Sequence, residues 1–362
     1  MLHRAMASGM LRDMSSAEVS MRAVRLRAWQ GEPELEEDVL VPTPGPGEVL
    51  VAVESAGLCH SDLDIMGFAE GSVPWQLPFT LGHETAGVVA ALGPGAHGVA
   101  EGDPVLLAPL WGCGTCRHCA TGADNRCVAR WDRRGGGLGV DGGLADYVLV
   151  PSTRVLVPIV GLDAKSAAPL ADAGLTPYHA LQPHLPLRPG AAVVVIGVGG
   201  LGHVAVQLLS GLTAARIVAL DLRAAARDLA IHAGAHAALD PAEADAADVR
   251  SETGPEGAAL ILDFVGTDET LALACSLVEM GGHVAIVGRG GGTLPTASGL
   301  LPLEWSANRP SAGTLPELRD VVELARAGVI QLEIERLTLD EAVDGYRRLR
   351  EGTIVGRAVV TP

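Results

Sequence analysis

The sequence predicts an α/β protein of two domains, a β-barrel-like unit followed by a parallel sheet, and three observations predict it. At 362 residues the chain exceeds what one ordinary core organises. From Met21 to about Val157 short apolar runs are cut by Gly and Pro. From about Ala191 the rhythm becomes alternating strand and helix.

In the first part "EVLVAVESAG", "TAGVVAALG", "DPVLLAP" and "LADYVLVP" each read as a strand between turn residues. In the second part "AAVVVIG" is a buried strand, "GHVAVQLLSGL" a helix and "RIVALD" a second strand. "ALILDFVG" and "GGHVAIVG" are further strands with a helix between them. Such alternation implies right-handed crossovers and parallel pairing. Beyond about Arg309 follow an amphipathic helix "LPELRDVVELARAG", the strand-like "IERLTL", a short helix "DEAVDGYRRLREG" and the terminal "GRAVVTP".

Hydrophobic content of 48% with 19% charged residues fits a compact soluble protein. Aromatic residues are only 3%, so Ala, Val and Leu must do most of the packing. The net charge of −17 argues against nucleic acid and against anionic lipid surfaces, and leaves a small molecule as the expected partner. Residues 191–212 are apolar enough to suggest a membrane span, but clustered glycines, His203 and Gln207 favour a strand, a turn and a buried helix. The first twenty residues lack a continuous apolar stretch and contain Asp13 and Glu18, so they read as a disordered extension, with Met21 an alternative start. The expected location is cytoplasmic.

"GVGGLG" places Gly197, Gly199, Gly200, Leu201 and Gly202 directly after a strand and at the opening of a helix. Glycines there permit a tight turn and let backbone approach a pyrophosphate at the helix N-terminus. Asp221 ends the next strand, nineteen residues past Gly202, where a carboxylate would hold the adenosine ribose hydroxyls and repel a 2′-phosphate. NAD is therefore expected over NADP, with Arg223 the one feature pointing the other way.

Four cysteines, Cys113, Cys116, Cys119 and Cys127, crowd into one stretch of a chain with no secretory signal. That spacing favours a closed tetrahedron of thiolates around a structural zinc over disulfides. Cys275, in an apolar helix, reads as core. A second constellation is dispersed: Cys59 in "AGLCHSDLD", His83 and Glu84 in "LGHETAG", and Asp172 in "AAPLADAGLTPYHAL". A lone carboxylate in so apolar a run as the last is costly unless paired or bound to a metal. Cys59, His83 and Asp172 are donors of the types catalytic zinc accepts; a thiolate, a neutral imidazole and a carboxylate would offset its two charges.

With "AGLCHSDL", "LGHETAGVV", the four-cysteine lobe, "APLADAGLTPY", "GVGGLG", the Asp221 strand end and "EGTIVGRAVV" in this order, the sequence from Met21 to Pro362 resembles the zinc-dependent medium-chain alcohol dehydrogenases. The resemblance implies a GroES-like catalytic domain over residues 21–172 and 309–362, interrupted by a Rossmann, doubly wound NAD-binding domain over 173–308, after an extension over 1–20. It implies two zincs per chain, and hydride transfer between an alcohol or ketone and NAD with zinc as Lewis acid. Cys59 and His83 match two zinc ligands; Asp172 stands where many members have cysteine, a form resembling a bacterial subgroup acting on secondary alcohols.

By the same resemblance Glu84 is the acidic neighbour of the ligand histidine and Asp62 the carboxylate that orients it. Ser61 is the hydroxyl that passes the alcohol proton onward, while Asp64 replaces a relay histidine and leaves the exit route open. His60 and Arg357 match pyrophosphate contacts, Thr176 and Val265 nicotinamide-side contacts, and Leu222 follows Asp221 at the ribose. Ala226 stands where a basic residue is expected, with Arg227 one step later. Trp75 and Leu138, with Ser61, fall in pocket-lining segments, and Ser311 and Ala312 stand where the subgroup often has bulky aromatics. A widened pocket for aryl or branched ketones follows as an expectation. A polyol, primary alcohol or aldehyde is the alternative substrate, and a non-catalytic zinc-stabilised protein the alternative class. Relatives of this subgroup imply a homo-oligomer, tetramer or dimer.

Overall fold

In the computed structural model, the described residues are 19–129, 135–297, 299 and 301–362. The expected N-terminal extension lies outside them up to residue 18. Its boundary moves slightly inward, because Ser20 already pairs with Leu40 in an antiparallel hairpin.

Contacts divide the chain into two units. One comprises residues 1–172, 314–322 and 333–362, the other 173–313 and 323–332. By these contacts the chain leaves the second unit after Gly313, and 323–332 returns to it.

The first unit is built on a mostly antiparallel seven-stranded sheet. Its path runs Leu156–Pro158, Pro104–Leu107, Glu84–Leu92, Val49–Gly57, Arg357–Thr361 and Ile334–Thr338, and Tyr147–Val150 pairs with Val49–Gly57. The central strand Val49–Gly57 is buried at most positions, as its apolar run requires. Its last residue, Gly57, lies opposite Glu84. A Cβ there would fall 1.8 Å from Glu84 Oε2, so glycine is what lets the Glu84 side chain lie across the strand. The hairpin Ser20–Leu26/Glu34–Leu40 and the short Phe79–Thr80 make a separate three-stranded sheet.

The second unit is a six-stranded, wholly parallel sheet. Its order is Ala237–Leu239, Arg216–Leu220, Ala192–Ile196, Ala258–Asp263, Val278–Ile286 and Ser306–Asn308. Numbered along the unit this is 3-2-1-4-5-6, the doubly wound dinucleotide-binding order. All five residues of Ala192–Ile196 are buried, as expected for a strand covered on both faces. The helix Gly202–Leu212 has the bounds its sequence pattern predicts. Among the described residues no helix is long and apolar enough to cross a membrane.

Candidate active site

Cys59 ends the turn after the central strand of the first unit and caps the helix His60–Met66. Its backbone is extended (φ −127°, ψ 150°), and its Sγ accepts the Ser61 N–H at 3.5 Å. Asp62 completes a reciprocal cap by accepting the Cys59 N–H at Oδ2, 3.0 Å away. His83 immediately precedes the strand Glu84–Leu92, and its Nδ1 meets Asp62 Oδ1 at 3.0 Å. Asp172 lies just past the short 3-10 turn Ala168–Ala171.

These three segments, far apart in sequence, bring Cys59 Sγ to 3.4 Å and His83 Nε2 to 3.7 Å from Asp172 Oδ2. The three ligand atoms all lie within 4.8 Å of one another. Zinc–ligand bonds of about 2.0–2.3 Å imply tetrahedron edges of roughly 3.3–3.8 Å. The residues therefore fit a zinc ion by both donor chemistry and spacing. With the Nδ1 side turned to Asp62, Nε2 is the nitrogen left for metal, the usual arrangement of a ligating histidine.

Arg357 answers part of the Asp172 charge problem in a way the motifs did not indicate. It is 3% exposed, donates to Glu84 Oε2 from Nε at 2.9 Å and to Oε1 from Nη2 at 2.5 Å, and approaches Asp172 Oδ2 at 3.5 Å. The arginine assigned by resemblance to a pyrophosphate is thus engaged with Glu84 inside the first unit. Burial pushes the Glu84 carboxyl up to about 7 although Arg357 pulls the other way. Arg357 therefore shares its one charge between Glu84 and Asp172, and with Cys59 as thiolate the site would still accept a dication. Tyr346, fully buried on the helix Ala342–Arg350, donates its hydroxyl to Asp62 Oδ2 at 3.0 Å. No local motif marks it, although the amphipathic helix pattern puts it on the apolar face.

His60 is exposed; Ser61 and Asp64 are half-buried on the same short helix. Trp75 and Leu138 are interior residues, 7% and 8% exposed. The Trp75 ring packs 5.9 Å from Phe68 and edge-on at 6.2 Å from Phe79, gathering scarce aromatics into one cluster.

The cysteine lobe forms a second cluster. Sγ atoms of Cys113, Cys116, Cys119 and Cys127 lie within 4.8 Å of one another, and all four are free thiols. Separations of 3.5 Å (Cys116–Cys119) and 4.0 Å (Cys113–Cys119) bracket the edge of about 3.8 Å expected around zinc. Hydrogen bonds from Thr115, and from the Cys116 N–H, lower the Cys113 thiol to about 6. Burial raises that of Cys119, a conflict that a shared cation would resolve. Arg154 Nη2 ties the lobe down through the Cys119 carbonyl and Asp124 Oδ2 (2.7 Å).

In the second unit the glycines divide their work. Gly197 adopts φ +84°, and a Cβ there would meet Val265 Cγ2 at 2.7 Å. A Cβ at Gly202 would lie 1.9 Å from the Gly197 carbonyl oxygen. At Gly199 the nearest atom would be Arg223 Nη2 at 3.8 Å, so backbone is open there for close approach of a diphosphate. Asp221 Oδ2 accepts the Val198 N–H at 2.8 Å, and Oδ1 accepts from Arg223 N (2.9 Å) and Nε (3.3 Å). Arg227 Nη1 donates to Asp240 Oδ2 at 2.8 Å and to the Asp221 and Leu222 carbonyls at 2.9 and 2.8 Å, and so meets the backbone of Asp221 and not its carboxylate. Leu222 is exposed beside Asp221, Leu201 half-buried, and Thr176 buried on the helix Leu175–Leu181. This loop fits a dinucleotide.

Residues 45–160 match the alcohol dehydrogenase GroES-like domain, and residues 200–312 the zinc-binding dehydrogenase domain. An NAD-dependent alcohol dehydrogenase from Sulfolobus acidocaldarius is 36% identical, the match covering 94% of this chain and 99% of that protein. Among solved structures, the alcohol dehydrogenase of Aeropyrum pernix superposes with a TM-score of 0.87 at 35% identity, covering 94% of this chain and all of the other. Acetophenone reductase from Geotrichum candidum, solved with NAD, gives 0.84 at 30% identity over 96% and 99% of the two chains. The chain belongs to the zinc-type, GroES-like alcohol dehydrogenase family.

Proposed function

We propose that this protein is an NAD-dependent zinc alcohol dehydrogenase acting on secondary alcohols and ketones. The observation that carries the reading is the convergence of Cys59 Sγ, His83 Nε2 and Asp172 Oδ2 at tetrahedral-edge distances. These residues would hold a catalytic zinc, and Cys113, Cys116, Cys119 and Cys127 a structural one. When bound, zinc supplies Lewis-acid polarisation of the substrate oxygen, and NAD supplies the hydride acceptor.

The chain's own residues do the rest. Asp62 holds the His83 ring with Nε2 turned inward and ties the Cys59 backbone to the same carboxylate. Ser61, on the same helix, would take the alcohol proton and pass it toward the nicotinamide ribose, while His60 and Arg357 would contact the pyrophosphate. Glu84, buried, raised to about 7 and held by Arg357, would be the acidic neighbour that exchanges with the ligand set, as the resemblance implies. Gly197, Gly199, Gly200, Leu201 and Gly202 cradle the pyrophosphate, Asp221 and Leu222 the ribose, and Thr176 and Val265 the nicotinamide side. Preference for NAD is supported by Asp221, whose carboxylate faces the loop, and by the engagement of Arg223 and Arg227 with carboxylates.

Small residues at Ser311 and Ala312, and an acetophenone-reducing structural relative, support bulky ketones as substrates. Trp75, Leu138 and Ser61 would then shape the pocket. A homo-oligomer, tetramer or dimer, is supported by the subgroup resemblance, and a cytoplasmic location by a cysteine lobe spaced for a metal rather than for disulfides. A panel of alcohols and ketones followed by NADH absorbance, with zinc content measured on the same sample, tests the reading. Two zincs per chain and faster turnover of acetophenone than of 2-butanone are expected. A single zinc with no turnover would reduce the protein to a zinc-stabilised binding module.

A further inference from the structure

We infer that Tyr346 is a positioning residue for the catalytic metal site: by donating its hydroxyl to Asp62 it fixes the one carboxylate that holds both His83 and Cys59 in place. The inference rests on the assignment of Cys59, His83 and Asp172 as zinc ligands.

Asp62 is 0% exposed, so its carboxylate relies on buried donors, and three protein groups face it. Oδ1 faces His83 Nδ1 at 3.0 Å. Oδ2 accepts two donors, the Cys59 N–H and the Tyr346 O–H, each at 3.0 Å. One carboxylate thereby sets the ring plane of one ligand and the backbone of another. Its own orientation is over-determined only while Oδ2 keeps both donors. Tyr346 is 0% exposed as well. Burial, together with the Asp62 charge, holds the phenol well above its usual titration range, so it stays a donor.

The reach of Tyr346 depends on its neighbour. Gly345 lies where a Cβ would come within 2.6 Å of Leu337 and 2.7 Å of Leu58, the residue preceding Cys59. The helix Ala342–Arg350 can therefore dock closely against the Leu58–Cys59 turn, and the phenol arrives at Asp62 from the far end of the chain. A phenylalanine would fill the same space without the hydrogen bond. That separates positioning from packing.

The test uses the zinc-loaded, full-length Tyr346→Phe protein. Each zinc is titrated out with a chromogenic chelator, and the visible spectrum is recorded after cobalt exchange at the catalytic site. Removing outer partners of metal-bound histidines weakens binding about 10–100-fold. One step further out, an effect near the lower limit, about tenfold on one zinc only, is expected, with a shifted cobalt spectrum. The four-cysteine zinc serves as the internal control and should not change. A lowered Tm with both zinc affinities within twofold of wild type and an unaltered cobalt spectrum overturns the inference. If the Phe variant does not accumulate, Asp62→Asn, which keeps the shape and weakens the acceptor that Tyr346 is argued to orient, is read by the same criteria. His83→Ala is run alongside. If it retains two zincs, the ligand assignment fails; if it loses one while Tyr346→Phe behaves as wild type, only the inference fails.

Discussion

Replacing Arg357 by Met should be among the most destabilising single changes in the first unit. The guanidinium and the Glu84 carboxylate have side chains 4% and 0% exposed and share two hydrogen bonds, at 2.9 and 2.5 Å. Removing one partner of a buried pair strands the other and costs about 3–5 kcal/mol. Because Glu84 already titrates near 7, losing Arg357 lets it take up a proton at neutral pH, which places the expected loss at the low end, about 3 kcal/mol. At roughly 2–4 °C per kcal/mol for a large domain, Tm should fall by about 6–12 °C. Differential scanning calorimetry of the zinc-loaded protein at pH 7 reads this directly. The double change Glu84→Gln with Arg357→Met should recover part of the loss, since the Glu84 charge is then no longer there to be stranded, while Asp172 still loses the arginine at 3.5 Å. A single variant within about 1 kcal/mol of wild type would refute the claim that this pair is buried and mutually dependent.

Three further outcomes are expected. Gly202→Ala places a methyl 1.9 Å from the Gly197 carbonyl oxygen, so NADH affinity by fluorescence titration should drop at least about tenfold; unchanged binding would contradict the packing role of that glycine. Cys127→Ser opens the four-thiolate cluster, and elemental analysis should find one zinc per chain where the parent has two, with a lowered Tm. His184, tilted against His283 at 4.2 Å between ring centroids, is lowered to about 4 by burial and by that second imidazole. Its folded value lies below its unfolded one of about 6.5, so the unfolded state binds more protons in between and stability falls as pH drops from about 6.5 to 4. His184→Gln should flatten that part of the pH–stability curve; an unchanged slope would count against it.

Local order in the chain accounts for much of what could be read in advance. Strand and helix periods marked the central strand Val49–Gly57, the helix Gly202–Leu212 and the parallel alternation after Ala191, because burial of one face or of both writes itself into neighbouring residues. Zinc donors were legible as types at recognisable spacings: four thiols in one lobe, and Cys59, His83 and Asp172 in short telling contexts. The glycine loop was legible because only glycine tolerates φ +84° at Gly197 and the contact at Gly202. The strands Ala237–Leu239 and Ser306–Asn308 went unmarked, being three residues each, too short for a period to emerge.

What the tertiary structure alone decided is partnership among buried polar groups. Arg357 meets Glu84 across 273 positions and Tyr346 meets Asp62 across 284, separations over which no spacing rule operates. A sequence can say that an arginine, a tyrosine or a carboxylate is present and that its neighbours are apolar. Which charge answers which is set by where strands and helices pass one another. In a low-dielectric interior that choice is worth several kcal/mol, whereas on an exposed surface it would be worth little.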